Sequence, residues 1–139
     1  MTYRFVVLDL PLEDAVDALA SLAARRRGAR TPIHGAPAGR ICWPREPRLA
    51  RAVPLGPTTG WCLTPSMQLR SAGRRWTVSV ELLPWDDGRT ELGLRLDGRK
   101  FLPLGERYER MAEAVPATIA TDLSVERAFE PAYQRAAAW

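Results

Sequence analysis

Three runs of residues between positions 63 and 96 alternate between apolar and polar side chains, which is the period-two pattern of a strand with one buried face. The apolar members are Leu63, Met67 and Leu69, then Trp76, Val78, Val80 and Leu82, then Leu92, Leu94 and Leu96. Turn-forming residues separate the runs at 71–74 and 84–88. The pattern predicts a three-stranded antiparallel meander with one apolar and one polar face.

An N-terminal strand–helix unit is predicted before the meander. Residues 3–10 form a short β-branched and aromatic run that is typical of a covered strand. Pro11 is suited to opening a helix, and apolar residues recur at three- and four-residue spacing between Leu12 and Ala23. Gly28 is the expected stop.

A second helix is predicted after Gly105, with Tyr108, Met111 and Val115 on one side. Pro116 is expected to kink or split it. Together these elements predict a single α+β domain spanning residues 1–139. In it, an antiparallel sheet with a C-terminal three-stranded meander packs on a long C-terminal helix, and the strand–helix unit lies at the N-terminus.

Residues 25–51 carry eight arginines and one acid, Glu46, although the formal charge of the whole chain is only +4. Four prolines in the same stretch argue against one regular element, so 29–60 is predicted to be an irregular basic segment with one or two short edge strands. Such a segment is a natural contact for an anionic partner. The candidate anion- or partner-binding residues are Arg25, Arg26, Arg27, Arg30, Arg40, Trp43, Arg45, Arg48 and Arg51.

The predicted order is strand, helix, basic segment, meander and C-terminal helix. This order resembles the helix-grip fold of START-like (SRPBCC) proteins, in which a curved antiparallel sheet wraps a C-terminal helix. The resemblance implies an apolar cavity between sheet and helix that binds a lipid, a hormone or a polyketide. The lining that it points to is Met67, Trp76, Val78, Val80, Leu94, Tyr108 and Met111. A dry core needs the same alternation, so a pocket and a filled interior both remain open.

No motif in the chain specifies a reaction. If the protein catalyses a cyclisation or a dehydration, the candidates for handling the proton are His34, which is the one histidine, and Tyr108. The spacing of His34, Cys42 and Cys62 does not match a metal site, and no cofactor is expected.

Three functions are compatible with these features. The first is binding of an apolar or aromatic small molecule, free, anionic or attached to an acidic carrier protein. The second is a nucleic-acid-binding module that uses the arginines of 25–51 and Trp43, although the polar face of the meander offers no aromatic side chain for stacking. The third is an interaction or assembly subunit, monomeric or homodimeric, anchored by Trp43, Trp61 or Trp139.

The chain gives two further indications of where the protein acts. The longest apolar runs are too short to span a membrane. The first residues lack the pattern of a secretory signal, so a cytoplasmic location is expected.

Overall fold

Eight strands and two helices are present in the computed structural model of this chain, which describes residues 3–52, 60–96 and 106–138. The helices are α1 (Leu12–Arg25) and α2 (Glu106–Ala138). The strands are β1 (Tyr3–Leu8), β2 (Arg30–Ile33), β3 (Ala36–Cys42), β4 (Arg48–Ala52), β5 (Gly60–Thr64), β6 (Met67–Ser71), β7 (Arg74–Pro84) and β8 (Thr90–Leu96).

The strands form one antiparallel sheet, which curls into a half-barrel. Its main path runs β1-β8-β7-β6-β3-β2. Strand β5 pairs with the C-terminal part of β7, and β4 pairs with β5. The predicted meander is present as β6, β7 and β8. The first predicted run is divided between β5 and β6, because Pro65 and Ser66 interrupt it.

The segment 29–60 is more regular than its proline content suggested. Within its described part, β2, β3 and β4 account for most of the residues, and β3 lies inside the sheet between β6 and β2. Pro32 lies on the edge strand β2, where a missing N–H is tolerated. Pro37 lies where the β2–β3 register shifts, so it interrupts no regular pairing. Residues 53–59 lie outside the described part of the chain.

Both helices pack on the same face of the sheet, which we call the inner face. Helix α2 contacts β1, β8, β3 and β2, whereas α1 contacts β7, β4 and α2 itself. The buried residues of the strands and helices therefore meet in one core. Arg4 of β1 adds a polar link across this interface, since its guanidinium lies 3.0 Å from the Glu109 carboxylate and 3.7 Å from that of Glu113, both on α2.

Of the two outcomes expected at Pro116, a kink or a split, the split does not occur, since helix α2 runs from Glu106 to Ala138 as one element. Proline removes one hydrogen bond from a helix, but Pro116 is buried here, between Val115 and Thr118. The face that includes Met111, Val115 and Ile119 is almost fully buried, so packing against the sheet stabilises the helix through the proline. Neither helix, over the residues described, is long and apolar enough to span a membrane.

The β6–β7 hairpin gives a stability prediction. Its two central residues, Ala72 (φ 48°) and Gly73 (φ 79°), both have left-handed backbone conformations, as a type I′ turn requires. Alanine is strained there, whereas asparagine tolerates this region. Ala72→Asn should therefore raise the free energy of unfolding by about 0.5–1 kcal/mol, measured by urea denaturation. Ala38→Asn, at an exposed position of β3, is the control and should bring no gain. Equal effects of the two changes would contradict the strain argument.

Candidate functional site

The interior between sheet and helix is filled by side chains. Tyr108 and Met111 are each 1% exposed, and the strand residues that were predicted to line a cavity are buried except Trp76, which is half-buried. The buried strand residues are Met67, Val78, Val80 and Leu94. The rings of Trp76 and Tyr108 pack at a centroid distance of 5.4 Å. These residues are therefore brought together as predicted, but as parts of a packed core.

His34 and Tyr108 do not lie in one site. His34 is exposed in the β2–β3 turn, and its backbone N–H donates to the Thr118 hydroxyl at 3.0 Å. Thr118 lies ten residues after Tyr108 on the same helix, which corresponds to about 15 Å along the axis. Burial, followed by the nearby charge of Glu109, raises the pKa of Tyr108 to about 12. At neutral pH the phenol is therefore protonated and a weak acid, which argues against Tyr108 as the proton-handling group.

Three of the predicted arginines converge on one groove. Arg27 follows the end of α1, Arg45 lies in the connection between β3 and β4, and Arg48 begins β4. The groove has a cavity volume of about 760 Å³. We call it the arginine groove, and its lining is Ala24, Arg27, Arg45, Glu46, Pro47, Arg48, Thr64 and Pro65.

The backbone ties the connection that carries Arg45 to the end of α1. Gly28 has φ +69°, and its N–H donates to the Pro44 carbonyl at 3.2 Å. A Cβ at position 28 would lie 3.5 Å from the Arg45 side chain, so Arg45 passes directly over this glycine. The left-handed turn that ends the helix thus also places the Arg45 side chain in the groove.

Two of the groove guanidiniums are each held by one N–H, and their other donors have no hydrogen-bond partner among the residues that the structure describes. Arg27 Nε donates to the Ala24 carbonyl at 3.0 Å, and Arg48 Nε donates to the Thr64 hydroxyl at 3.2 Å. Among the described residues, no carboxylate forms an ion pair with Arg27, Arg45 or Arg48, even though Glu46 lies in the same lining. The arginine groove therefore concentrates positive charge that an anion would neutralise.

The remaining predicted anion-binding residues are distributed elsewhere. Arg25 lies in the last turn of α1, and Arg26 ends that helix with its N–H bonded to the Leu22 carbonyl. Arg30 and Arg40 project from the face of the sheet that lies away from both helices. The Arg51 guanidinium lies 4.8 Å from the centre of the Trp61 ring.

Trp43 differs from its predicted role as a stacking residue. It is 3% exposed, and its indole N–H donates to the Thr31 hydroxyl at 2.8 Å. Its ring faces lie in the core and are closed to a base or a partner, so this tryptophan is a structural residue.

Sequence reasoning missed a second cleft, at the open end of the sheet–helix interface. It has a volume of about 520 Å³ and lies between the start of α2 and the ends of β3 and β6. Ser71 lies in its wall at 3% exposure, and the hydroxyl has no hydrogen-bond partner among the described residues. We call this the Ser71 cleft. Its remaining lining is Gly35, Ala36, Pro37, Ala38, Gly39, Glu106, Arg110 and Met111.

The pairing of β3 with β6 creates this cleft, and no short motif signals it. Gly39 lies opposite Ser71, and a Cβ at position 39 would lie 2.6 Å from the Met111 sulfur. Within 3–52, 60–96 and 106–138, no group of three or more His, Cys, Asp or Glu side chains could hold a metal ion.

Comparison of the chain with protein-family models, curated proteins and solved structures finds no match. The α+β class follows from the structure itself, whereas the START-like resemblance remains an expectation.

The hydrogen bond between Trp43 and Thr31 gives a test of the structural role of this tryptophan. Thr31→Val keeps the shape of the side chain but leaves a buried indole N–H without an acceptor. We expect a loss of about 1–3 kcal/mol in the free energy of unfolding. Thr77→Val, at an exposed position of β7, is the control and should change it by less than about 0.5 kcal/mol. If Thr31→Val were as mild as this control, the bond would carry no structural weight.

Proposed function

We propose that the protein binds an anionic ligand in the arginine groove. The observation that carries the proposal is the convergence of Arg27, Arg45 and Arg48 on one open cavity without an ion-paired acid among the described residues. Guanidinium groups stay charged at any physiological pH, so the charge of the groove does not depend on proton uptake.

The chemistry of arginine narrows the ligand class. A planar guanidinium presents parallel N–H donors that match two oxygens of a phosphate or a carboxylate. Three such groups around about 760 Å³ of space favour a ligand with more than one anionic group, such as a diphosphate, a polycarboxylate or the acidic surface of a carrier protein. The Thr64 hydroxyl adds a neutral polar group at the same wall.

Binding of small anions tests this proposal. Pyrophosphate and citrate are titrated into the protein by calorimetry, because they offer phosphate and carboxylate oxygens respectively. The variant Arg27→Gln/Arg45→Gln/Arg48→Gln should raise the Kd by at least about tenfold, because each lost charged hydrogen bond contributes about 1.5–3 kcal/mol.

The matched control is Arg30→Gln/Arg70→Gln/Arg75→Gln, which removes the same charge from another face of the sheet. It should leave the Kd of both anions within about twofold, since distant surface charges are screened by salt. Equal losses in the two triple variants would mean that the anions respond to net charge alone, and would refute the groove as a site.

A second candidate function rests on the Ser71 cleft. An amphipathic small molecule could contact Met111 with its apolar part and bond its polar end to the Ser71 hydroxyl or to Arg110. The buried hydroxyl without a partner supports this proposal, because such a group costs free energy until something bonds to it. A ligand in the Ser71 cleft would still lie between sheet and helix, but it would not need space inside the filled core.

Ser71→Ala separates a binding role from a packing role. Removing an unsatisfied buried hydroxyl should raise the free energy of unfolding of the ligand-free protein by about 1 kcal/mol. The same change should weaken binding of octanoate several-fold, measured by calorimetry, while Ser79→Ala on the other face of the sheet leaves it unchanged. Unaltered octanoate affinity in Ser71→Ala, or no octanoate binding to the unmodified protein, would exclude this role.

A further inference from the structure

The outer face of the sheet, opposite both helices, carries a row of arginines across four neighbouring strands. Arg40 of β3 lies directly opposite Arg70 of β6, and Arg70 lies directly opposite Arg75 of β7. Arg30 of β2 belongs to the same face, two residues before Pro32, which pairs with Arg40. We call these four residues the arginine row.

Within 3–52, 60–96 and 106–138, acids do not neutralise the arginine row. Among the described residues, none of its four members forms an ion pair. Like charges directly opposite each other on adjacent strands are destabilising, and these strands sit only about 4.8 Å apart. The Arg40 guanidinium bonds to the carbonyls of Pro37 and Gly39, which orients the cation but leaves its charge in place.

The other end of the same face is aromatic, and β1 supplies the aromatic side chains. Tyr3 lies opposite Arg95, and Phe5 lies opposite Gly93. The rings of Tyr3 and Phe5 stack on each other at a centroid distance of 6.0 Å. Phe5 is 49% exposed, which is high for a phenylalanine. Gly93 has no side chain to block the face, and the Tyr3 ring crosses the space that a Cβ there would occupy.

The acids of this end are already engaged. Glu91 accepts hydrogen bonds from the Tyr3 hydroxyl and from the Trp85 indole at 3.1 Å, whereas Glu81 pairs with Arg95 at 3.3 Å. Burial and the bond to Glu91 raise the pKa of Tyr3, so its hydroxyl stays protonated and holds the ring in place. The Arg95 guanidinium also lies 5.3 Å from the centre of the Tyr3 ring.

We infer that the outer face binds single-stranded nucleic acid, with Phe5 and Tyr3 as the stacking platform and the arginine row on the phosphate backbone. A positively charged surface that follows the backbone, combined with aromatic rings on which bases stack, is the arrangement that binds single strands. Tyr3 lies about 16 Å from Arg75, because two strand spacings and four residues along β7 separate them, and Phe5 lies about 22 Å from Arg75, because six residues separate them. A strand of a few nucleotides covers these distances.

The exposed ring of Phe5 favours a single strand over two other occupants. A duplex keeps its base faces stacked inside and presents only edges and phosphates, so it would use the arginines and leave Phe5 without a partner. An acidic protein surface would satisfy the arginines, but carboxylates gain nothing from a stacked pair of rings. Only an unpaired base uses both ends of the face.

The test measures binding of a fluorescent oligothymidylate of about twelve nucleotides by anisotropy, at several salt concentrations between about 50 and about 200 mM. Phe5→Leu keeps an apolar side chain but removes the ring, and should weaken binding about tenfold. Arg30→Gln/Arg70→Gln/Arg75→Gln should weaken it more and reduce the slope of log K against log salt by about 2, since each phosphate contact contributes about 0.7.

The controls keep this inference separate from the groove. Arg27→Gln/Arg45→Gln/Arg48→Gln removes the same charge and should leave oligonucleotide affinity within about threefold; an equal loss there would overturn the assignment to the outer face.

Polyglutamate is the competing probe. Competition by polyglutamate at similar concentration, or full affinity in Phe5→Leu, would overturn stacking in favour of an acidic protein partner. No binding by the unmodified chain overturns the inference outright, and circular dichroism of each variant establishes that it is folded.

Discussion

The alternation of side chains across a curled sheet is the constraint on which the rest of the structure depends. Both helices pack on the inner face, so the strands direct most of their apolar residues toward them and most of their polar residues away, with Phe5 and Arg4 of β1 as exceptions. Leu69 and Arg70 show the consequence, since consecutive residues of β6 belong to the core and to the arginine row. A slip of one residue in register would exchange these two environments, and burial of an unpaired guanidinium would oppose it strongly.

The same constraint explains why positive charge accumulates in two places. Inner positions exclude unpaired charge, so the arginines of a basic chain must lie on the outer face or at the ends of the elements. Outer positions on adjacent strands then bring Arg70 and Arg75 opposite each other, while the end of α1 and the start of β4 bring Arg27 and Arg48 together. Both arrangements raise the free energy of the isolated protein, and a bound anion would offset that rise in either case.

Local patterns predicted the elements well because their information is local. The stripe from Leu12 gave helix α1, and the turn at Ala72 and Gly73 gave the β6–β7 hairpin, as the structure confirms. Contacts between segments that are distant in the sequence could not be predicted from local patterns. The pairing of β3 with β6, and of β1 with β8, depends on the whole sheet, so neither the Ser71 cleft nor the aromatic end of the outer face was foreseen. The sequence argument against base stacking considered the meander alone and therefore lacked Phe5.

Because the interior is filled, a ligand must bind at the surface, where water competes for every polar contact. Affinity there depends on how much freedom the side chains lose on binding. The Nε groups of Arg27 and Arg48 are already bonded to the Ala24 carbonyl and the Thr64 hydroxyl, so both guanidinium groups are restrained before a ligand arrives. Arg40 is oriented in the same way by its own strand. This local anchoring is what distinguishes a site for anions from a merely basic surface.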